Sequence, residues 1–328
     1  MDPKVGNEQA PSVDGTDLPR GVVWSGLVLG VLSVSFAAIL IRWADAPALS
    51  VSFWRCLGAA LALSPFAVRQ RHRLLALPRG DRWLLLLSAA SLALHFALWI
   101  GSLSYTSVAS SVTLVCASTP FVGLAAARFL KEPPSRRTWI GMALTLVGAV
   151  SIGAVYLGTA DLGARALLGD AMALGGAIAI TGYLIVGRKL RRQGLPNSAY
   201  GATVYGTAAL ILLPICFATG SELVGFDAQT WWALAAIVAL PQMLGHTVFN
   251  ALLGTVPATV VAISPPEAAQ TSGRTPSLPL RKQATVKSRD SLVFPNATLV
   301  KELALPKVKI FRPLRVDTKI RASWVLDM

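Results

Sequence analysis

His95 and Trp99 stand four residues apart in the apolar stretch 83–102, with Ser102 three residues further on. A helix places all three on one face. An imidazole there can take up and release a proton, and an indole beside it can wall a substrate or a cation. The same spacing returns at His246 and Asn250, in the apolar stretch 231–253. The plainer alternative is a neutral, hydrogen-bonded packing histidine with a tryptophan of the interfacial belt. Arg55 lies eight residues into the stretch 47–67, about 12 Å from its start. A charge at that depth of a membrane costs about 2.5–3.5 kcal/mol, so it should face a polar path or a partner. The alternatives are snorkelling toward the headgroups or a structural bond to a helix end. Tyr183 is a further candidate for the same path, against the plain reading that a buried tyrosine merely satisfies its hydroxyl. Asp170 opens an apolar run and reads as a helix N-terminal charge rather than a proton site.

No reacting centre accompanies these residues. The chain has no His-Glu-x-x-His, Walker loop, Gly-x-Ser-x-Gly or aspartate-rich diphosphate motif. Cys56, Cys116 and Cys216 fall singly inside apolar runs, and no Cys or His spacing suits zinc. The expectation is a protein that is not an enzyme and takes no cofactor or metal.

The elements that position these residues follow from composition. The chain of 328 residues is 54% hydrophobic and only 14% charged, where a soluble domain carries about 25% charged residues. Candidate membrane spans fall at about 22–41, 47–67, 83–102, 107–129, 139–157, 166–187, 197–219 and 231–253. A ninth begins at Thr255 and stops near Ser264; ten helical residues rise only about 15 Å, half of the hydrocarbon core. Pro120, Pro214 and Pro241 can bend their helices, either for gating or as static kinks. Gly26-x-x-x-Gly30 permits close helix packing.

The net charge of +14 could suggest nucleic acid, but its basic residues sit in short clusters between apolar runs. Segments 69–82, 128–137 and 187–193 are strongly basic, and 102–110, 158–165 and 220–227 are weakly charged or acidic. The two sets alternate, which places the N-terminus and the basic loops in the cytoplasm. Residues 1–21 read as a disordered cytoplasmic arm.

The segment "HFALWIGSLSYTSVASSV" (95–112) resembles "HTVFNALLGTVPATVVAI" (246–263) at an offset of about 150 residues, or five spans. Five is odd, so the second unit enters the membrane from the opposite side, as in inverted-repeat secondary transporters. A channel or a membrane enzyme can also carry repeats. "FWRCLGAALAL" (53–63), "ALWIGSLSYTSVASSVTLVCASTPFVGLAAARFLKE" (97–132) and "LLGDAMALGGAIAITGYLIVGRKLRR" (167–192) together resemble the drug/metabolite transporter superfamily, with its EamA-type five-helix repeats. The likeness covers about residues 22–264. It implies a ten-helix exporter of small metabolites such as amino acids, working by exchange or an ion gradient, multi-pass in a bacterial-type plasma membrane.

The expected architecture is therefore an all-α polytopic membrane helix bundle of inverted five-helix repeats, with eight full spans and a partial ninth. Residues 22–157 form a first repeat, 166–264 an incomplete second, and 265–328 a basic, Pro-rich non-membrane tail. The expected activity is secondary transport of a small-molecule substrate by alternating access, with Arg55, His95, Trp99, Tyr183, His246 and Asn250 along the path. The alternative is a transport-inactive truncated membrane protein, or a membrane-embedded partner. The expected partners are that substrate and the lipid bilayer, with no nucleic acid.

The tail has two readings. Its basic charge can hold it to anionic lipid, or it has no selected role because the reading frame changed near codon 265. The second reading makes a direct prediction. Translating the gene's other frames past codon 265 should recover an apolar continuation of two spans, and polar sequence in every frame would refute it.

Overall fold

The structure is a computed structural model, and it describes residues 18–157 and 164–262. Residues 1–17 of the expected arm, 158–163 of the fifth connection and the tail 265–328 lie outside the described residues. Among the described residues all regular structure is helical. The first span comprises α1 (Arg20–Ser35) and α2 (Ala37–Trp43). It is followed by α3 (Ala48–Arg69), the short α4 (Arg71–Leu75) and α5 (Arg79–Ser102). The next span runs through α6 (Val108–Cys116), α7 (Ser118–Ala125) and a π-helical turn, Ala126–Leu130. Then come α8 (Arg136–Leu157), α9 (Ala164–Arg192) and α10 (Asn197–Ala218). The last long span is α11 (Ala228–Ile237), a π-helical stretch Val238–Thr247 and α12 (Val248–Leu252).

Seven helices among the described residues are long and apolar enough to cross a membrane. The 22-residue α8 occupies the place of the expected fifth span. Residues 258–262 are helical, where the ninth span was expected to begin.

Local chemistry starts and breaks these helices. Pro19, Pro47, Pro78 and Pro196 stand immediately before α1, α3, α5 and α10. The ring fixes φ, and proline lacks an N–H that would be unpaired at a helix start. Ser107 and Asp227 cap α6 and α11 with their side chains, accepting from the Ser110 and Thr230 amides at 3.0 and 2.8 Å. The Thr230 amide holds the Asp227 carboxyl below its ordinary pKa. The expected bends are of three kinds. Pro120 follows the break at Ala117, Pro214 lies within an unbroken α10, and Pro241 lies in the π-helical stretch. A proline removes one amide from the ladder and crowds the preceding turn, which the wider π geometry accommodates.

Large apolar side chains cover the outside of the bundle: Trp24, Leu61, Leu94, Leu210 and Phe217 are all exposed. In water such a surface would drive association; against lipid it is the expected outer face. Inside, α5 packs along α9 and α3 along α10. Glycines allow the closest approaches. A Cβ on Gly176 of α9 would stand 3.3 Å from the Trp99 amide nitrogen on α5. Gly26 and Gly30 of α1 face Leu252 and Phe249 of α12, the packing use expected of that motif.

Polar ties lock each end. Glu132 accepts from Arg188 and Arg192 at 3.0 and 2.8 Å, and Lys189 pairs with Asp81 at 3.4 Å. These pairs join the three basic segments to one another at one end. At the other, Ser110 Oγ donates to Asp170 Oδ1 at 2.6 Å, and Trp54 Nε1 donates to the Leu223 carbonyl at 2.8 Å. Asp170 is the seventh residue of α9, because the helix starts at Ala164. It therefore answers the Ser110 hydroxyl rather than the helix dipole, which acts within the first turn.

Two changes test this packing. Gly169→Ala would put a Cβ 2.8 Å from the Thr106 amide nitrogen, and should cost about 1–3 kcal/mol. Glu132→Ala would strand the buried Arg188 guanidinium and should cost about 3–5 kcal/mol. Both should appear as lower melting temperatures in detergent, followed by tryptophan fluorescence. Unchanged melting would contradict the corresponding contact.

Candidate functional site

Arg55 is fully buried in α3, so it neither snorkels nor caps a helix end. Its Nε donates to Gln242 Oε1 at 2.8 Å, and its guanidinium carbon lies 3.8 Å from the centre of the Phe96 ring. The hydrogen bond supplies an oxygen, and the ring face presents negative electrostatic potential to the cation. The fork of the guanidinium is left over: Nη1 and Nη2 are buried without a hydrogen-bond partner among the described residues. No ion pair among the described residues includes Arg55.

His95 and Trp99 project from α5 beside it. Their rings stack, 5.9 Å apart and 11° from parallel. His95 Nδ1 lies 2.8 Å from the Gly176 carbonyl. A carbonyl only accepts, so this contact places the proton on Nδ1 and leaves Nε2 as an acceptor. Close approach at Gly176 makes that bond possible. Trp99 is buried rather than interfacial, and its Nε1 has no hydrogen-bond partner among the described residues.

His246 arrives from the π-helical stretch. Its ring centre lies 6.4 Å from that of His95, 5.3 Å from Phe96 and 6.2 Å from Tyr183. The two histidines identified from their spacing thus meet across the bundle. Asn250 stands behind them, where Nδ2 donates to Tyr205 Oη at 2.9 Å. The phenol of Tyr205 lies 3.2 Å from Thr247 Oγ1, which donates to the Gln242 carbonyl at 3.1 Å. Donors and acceptors match along this chain if each hydroxyl passes its proton toward Gln242. The network ends on the backbone of Gln242, and the side-chain oxygen of Gln242 holds Arg55.

These groups enclose a cavity of about 330 Å³, lined by Arg55, His95, Trp99, Tyr183 and His246. Apolar side chains including Val112, Ile180 and Phe249 complete the wall. That volume is at the lower end of small-molecule sites, about 300–1,000 Å³. Five of the six residues singled out by type and spacing therefore share one cavity, and Asn250 supports it from behind.

Several contributors were not anticipated: Gln242, Phe96 and Tyr205. Gln242 carried a usable signal, as a polar amide deep in an apolar run beside Pro241. Phe96 and Tyr205 carried none, since an aromatic residue in an apolar run is ordinarily packing. Among the described residues no group of three His, Cys, Asp or Glu could hold a metal ion.

A second feature concerns the turns between helices. The turn after α5 and the turn after α12 have the same local conformation, 150 residues apart. In the first, the Tyr105 and Thr106 amides donate to the Ser102 carbonyl at 2.9 and 3.0 Å; in the second, Thr255 and Val256 donate to Leu252 at 2.9 and 2.8 Å. Each turn's opening carbonyl also accepts from an arginine: Leu103 from Arg42 at 3.1 Å, Leu253 from Arg188 at 2.9 Å. The first turn touches α9 near Gly169 and the second near Arg188. They lie toward opposite ends of one 29-residue helix.

No curated protein matches the chain. A solved structure described as "Crystal structure of protein" is similar, at 15% identity and a TM-score of 0.54, covering 80% of this chain and 91% of that one. At that identity the likeness concerns the fold. The family comparison is more specific, matching the EamA-like transporter family over residues 20–154. That segment contains Arg55, His95 and Trp99, so this part of the chain is similar to EamA-like transporters, and the seven long apolar helices are those of a multi-pass membrane protein.

Proposed function

We propose that the chain is a secondary transporter, an exporter of small metabolites such as amino acids, working by alternating access between two inverted repeats. The observation that carries this reading is the cavity between spans, with a fully buried cation whose fork is unpaired. A lone buried charge is costly in a bilayer and usually marks a substrate or ion path. The matched turns at opposite ends of α9 support an inverted arrangement, with residues 22–157 as one repeat and 166–264 as part of the other. In this reading α8 is an eighth span and residues 258–262 begin a ninth.

The ion-paired basic end, rich in Lys and Arg, faces the cytoplasm, with the N-terminus on the same side of a bacterial-type plasma membrane. The π-helical stretch with Pro241 is the natural place for bending, because its backbone bonds already depart from the regular ladder. Helices of both halves line the cavity, so a rocking motion between them would open it to either side in turn.

A second reading, a membrane-embedded partner without transport, is favoured by the change to basic, Pro-rich sequence from Pro265 onward. Reconstituted vesicles separate the two. The transport reading expects the full chain to move members of a metabolite panel at a rate abolished by loss of the Arg55 charge. Correct insertion with no flux of any compound would leave the second reading.

A further inference from the structure

Among the described residues, the fully buried unpaired polar atoms on side chains that line the cavity are donors, beside the acceptor Nε2 of His95. Arg55 Nη1, Arg55 Nη2 and Trp99 Nε1 are buried with no partner among the described residues, and both side chains line the cavity. A buried N–H without a partner is costly, so three such nitrogens on side chains that line one cavity describe the complement of a ligand rather than a finished core. The guanidinium presents its free pair as a planar fork, which matches the two oxygens of a carboxylate. Its orientation is already fixed, since Gln242 takes Nε and Phe96 lies against one face.

Charge narrows the class. Among the described residues, none on the lining is Asp or Glu, and Arg55 is the only Lys or Arg there. One fixed positive charge balances a monoanion, whereas a phosphate monoester brings nearly two charges and three acceptor oxygens. An amino-acid zwitterion would bring an ammonium group with no acidic side chain on the lining to receive it. The rest of the wall is largely apolar, with Val34, Val112, Ile180, Leu184 and Phe249. A ligand that satisfies all of this has one carboxylate and a hydrocarbon body.

We propose that the cavity binds a small monocarboxylate with an apolar body, its two oxygens held by Nη1 and Nη2 of Arg55 while Trp99 Nε1 donates to the same ligand. This narrows the small metabolites of the transport reading to monocarboxylates in place of zwitterionic amino acids, and it rests on that reading only for movement of the ligand, not for binding.

The test uses the purified full chain in detergent, with binding followed by tryptophan fluorescence and by melting temperature. The probes are 4-methylpentanoate and benzoate, each beside its neutral amide, with leucine and chloride as further arms. Both acids should bind saturably, about ten-fold or more tightly than their amides, because a charge-assisted pair is lost in the amide. Leucine should bind more weakly than 4-methylpentanoate, and chloride should not displace either acid. Arg55→Gln should weaken acid binding about ten-fold or more and erase the preference for acid over amide. Trp99→Phe should weaken it several-fold and keep that preference.

Equal binding of acid and amide by the unaltered chain, or an unchanged preference in Arg55→Gln, overturns the proposal. Leucine binding more tightly than 4-methylpentanoate assigns the site to a zwitterion instead, and displacement by chloride assigns it to a simple anion. If Arg55→Gln does not fold, the acid–amide comparison in the unaltered chain and the Trp99→Phe result still decide. Acid binding without flux in vesicles supports this assignment and defeats the transport reading. Flux of other metabolites with no binding of either acid does the reverse.

Discussion

A bilayer offers a backbone N–H or C=O nothing to bond, so this chain has to satisfy those groups from within. The consequence is visible in every described element: regular structure is helical, and the carbonyls freed at helix ends are met by specific groups. Arg42 reaches the Leu103 carbonyl and Arg188 the Leu253 carbonyl, each at the first residue of a tight turn. Arginine suits this work because its spread of N–H groups can serve several acceptors at once. Arg188 binds the Glu132 carboxylate with Nε and Nη2 while Nη1 holds the carbonyl.

Packing between the helices follows from the same solvent. Lipid tails are as apolar as leucine, so burying another aliphatic side chain gains little, and close backbone approach matters more. Helix α9 shows this along its length. Gly169 admits the turn at Thr106, Gly176 admits Trp99 and His95, and Gly187 lies against Tyr200 and Leu253. The close contact at Gly176 also brings its carbonyl within 2.8 Å of Nδ1 of His95 and so fixes the imidazole, which lines the cavity.

The cavity is the place where internal satisfaction stops short. A membrane charge costs about 2.5–3.5 kcal/mol on insertion scales. The Gln242 hydrogen bond to a charged group is worth about 1.5–3 kcal/mol, and the stacked Phe96 ring about 2 kcal/mol when desolvated. These terms are of the same size, so Arg55 can be held in place without an acidic partner. Their cancellation leaves the fork of the guanidinium free, and an acid in the same position would have consumed it. A buried cation that is tolerated but not neutralised is what the proposed binding role of Arg55 rests on. Tyr205 of α10 joins Asn250 and Thr247 of Gln242's own span, and Thr247 bonds the Gln242 backbone carbonyl, so one contact from a second helix ties the stretch that carries Gln242.

What the sequence by itself determined is what one-dimensional spacing can carry. Run lengths of apolar residues located seven membrane-length helices to within about five residues, because the thickness of the hydrocarbon core sets a length. The i,i+4 spacing of His95 with Trp99 and of His246 with Asn250 marked a helix face, because helical geometry makes those positions neighbours. The depth of Arg55 marked it as needing a partner. Only the tertiary structure decided which partner. Gln242 is 187 residues away and Phe96 carries no signal in an apolar run. It likewise decided that Asn250 faces Tyr205 rather than the cavity, and that Asp170 answers a serine rather than the helix dipole. The reason is physical: hydropathy and spacing fix which face of a helix is buried, but the partner across that face is set by how the helices cross.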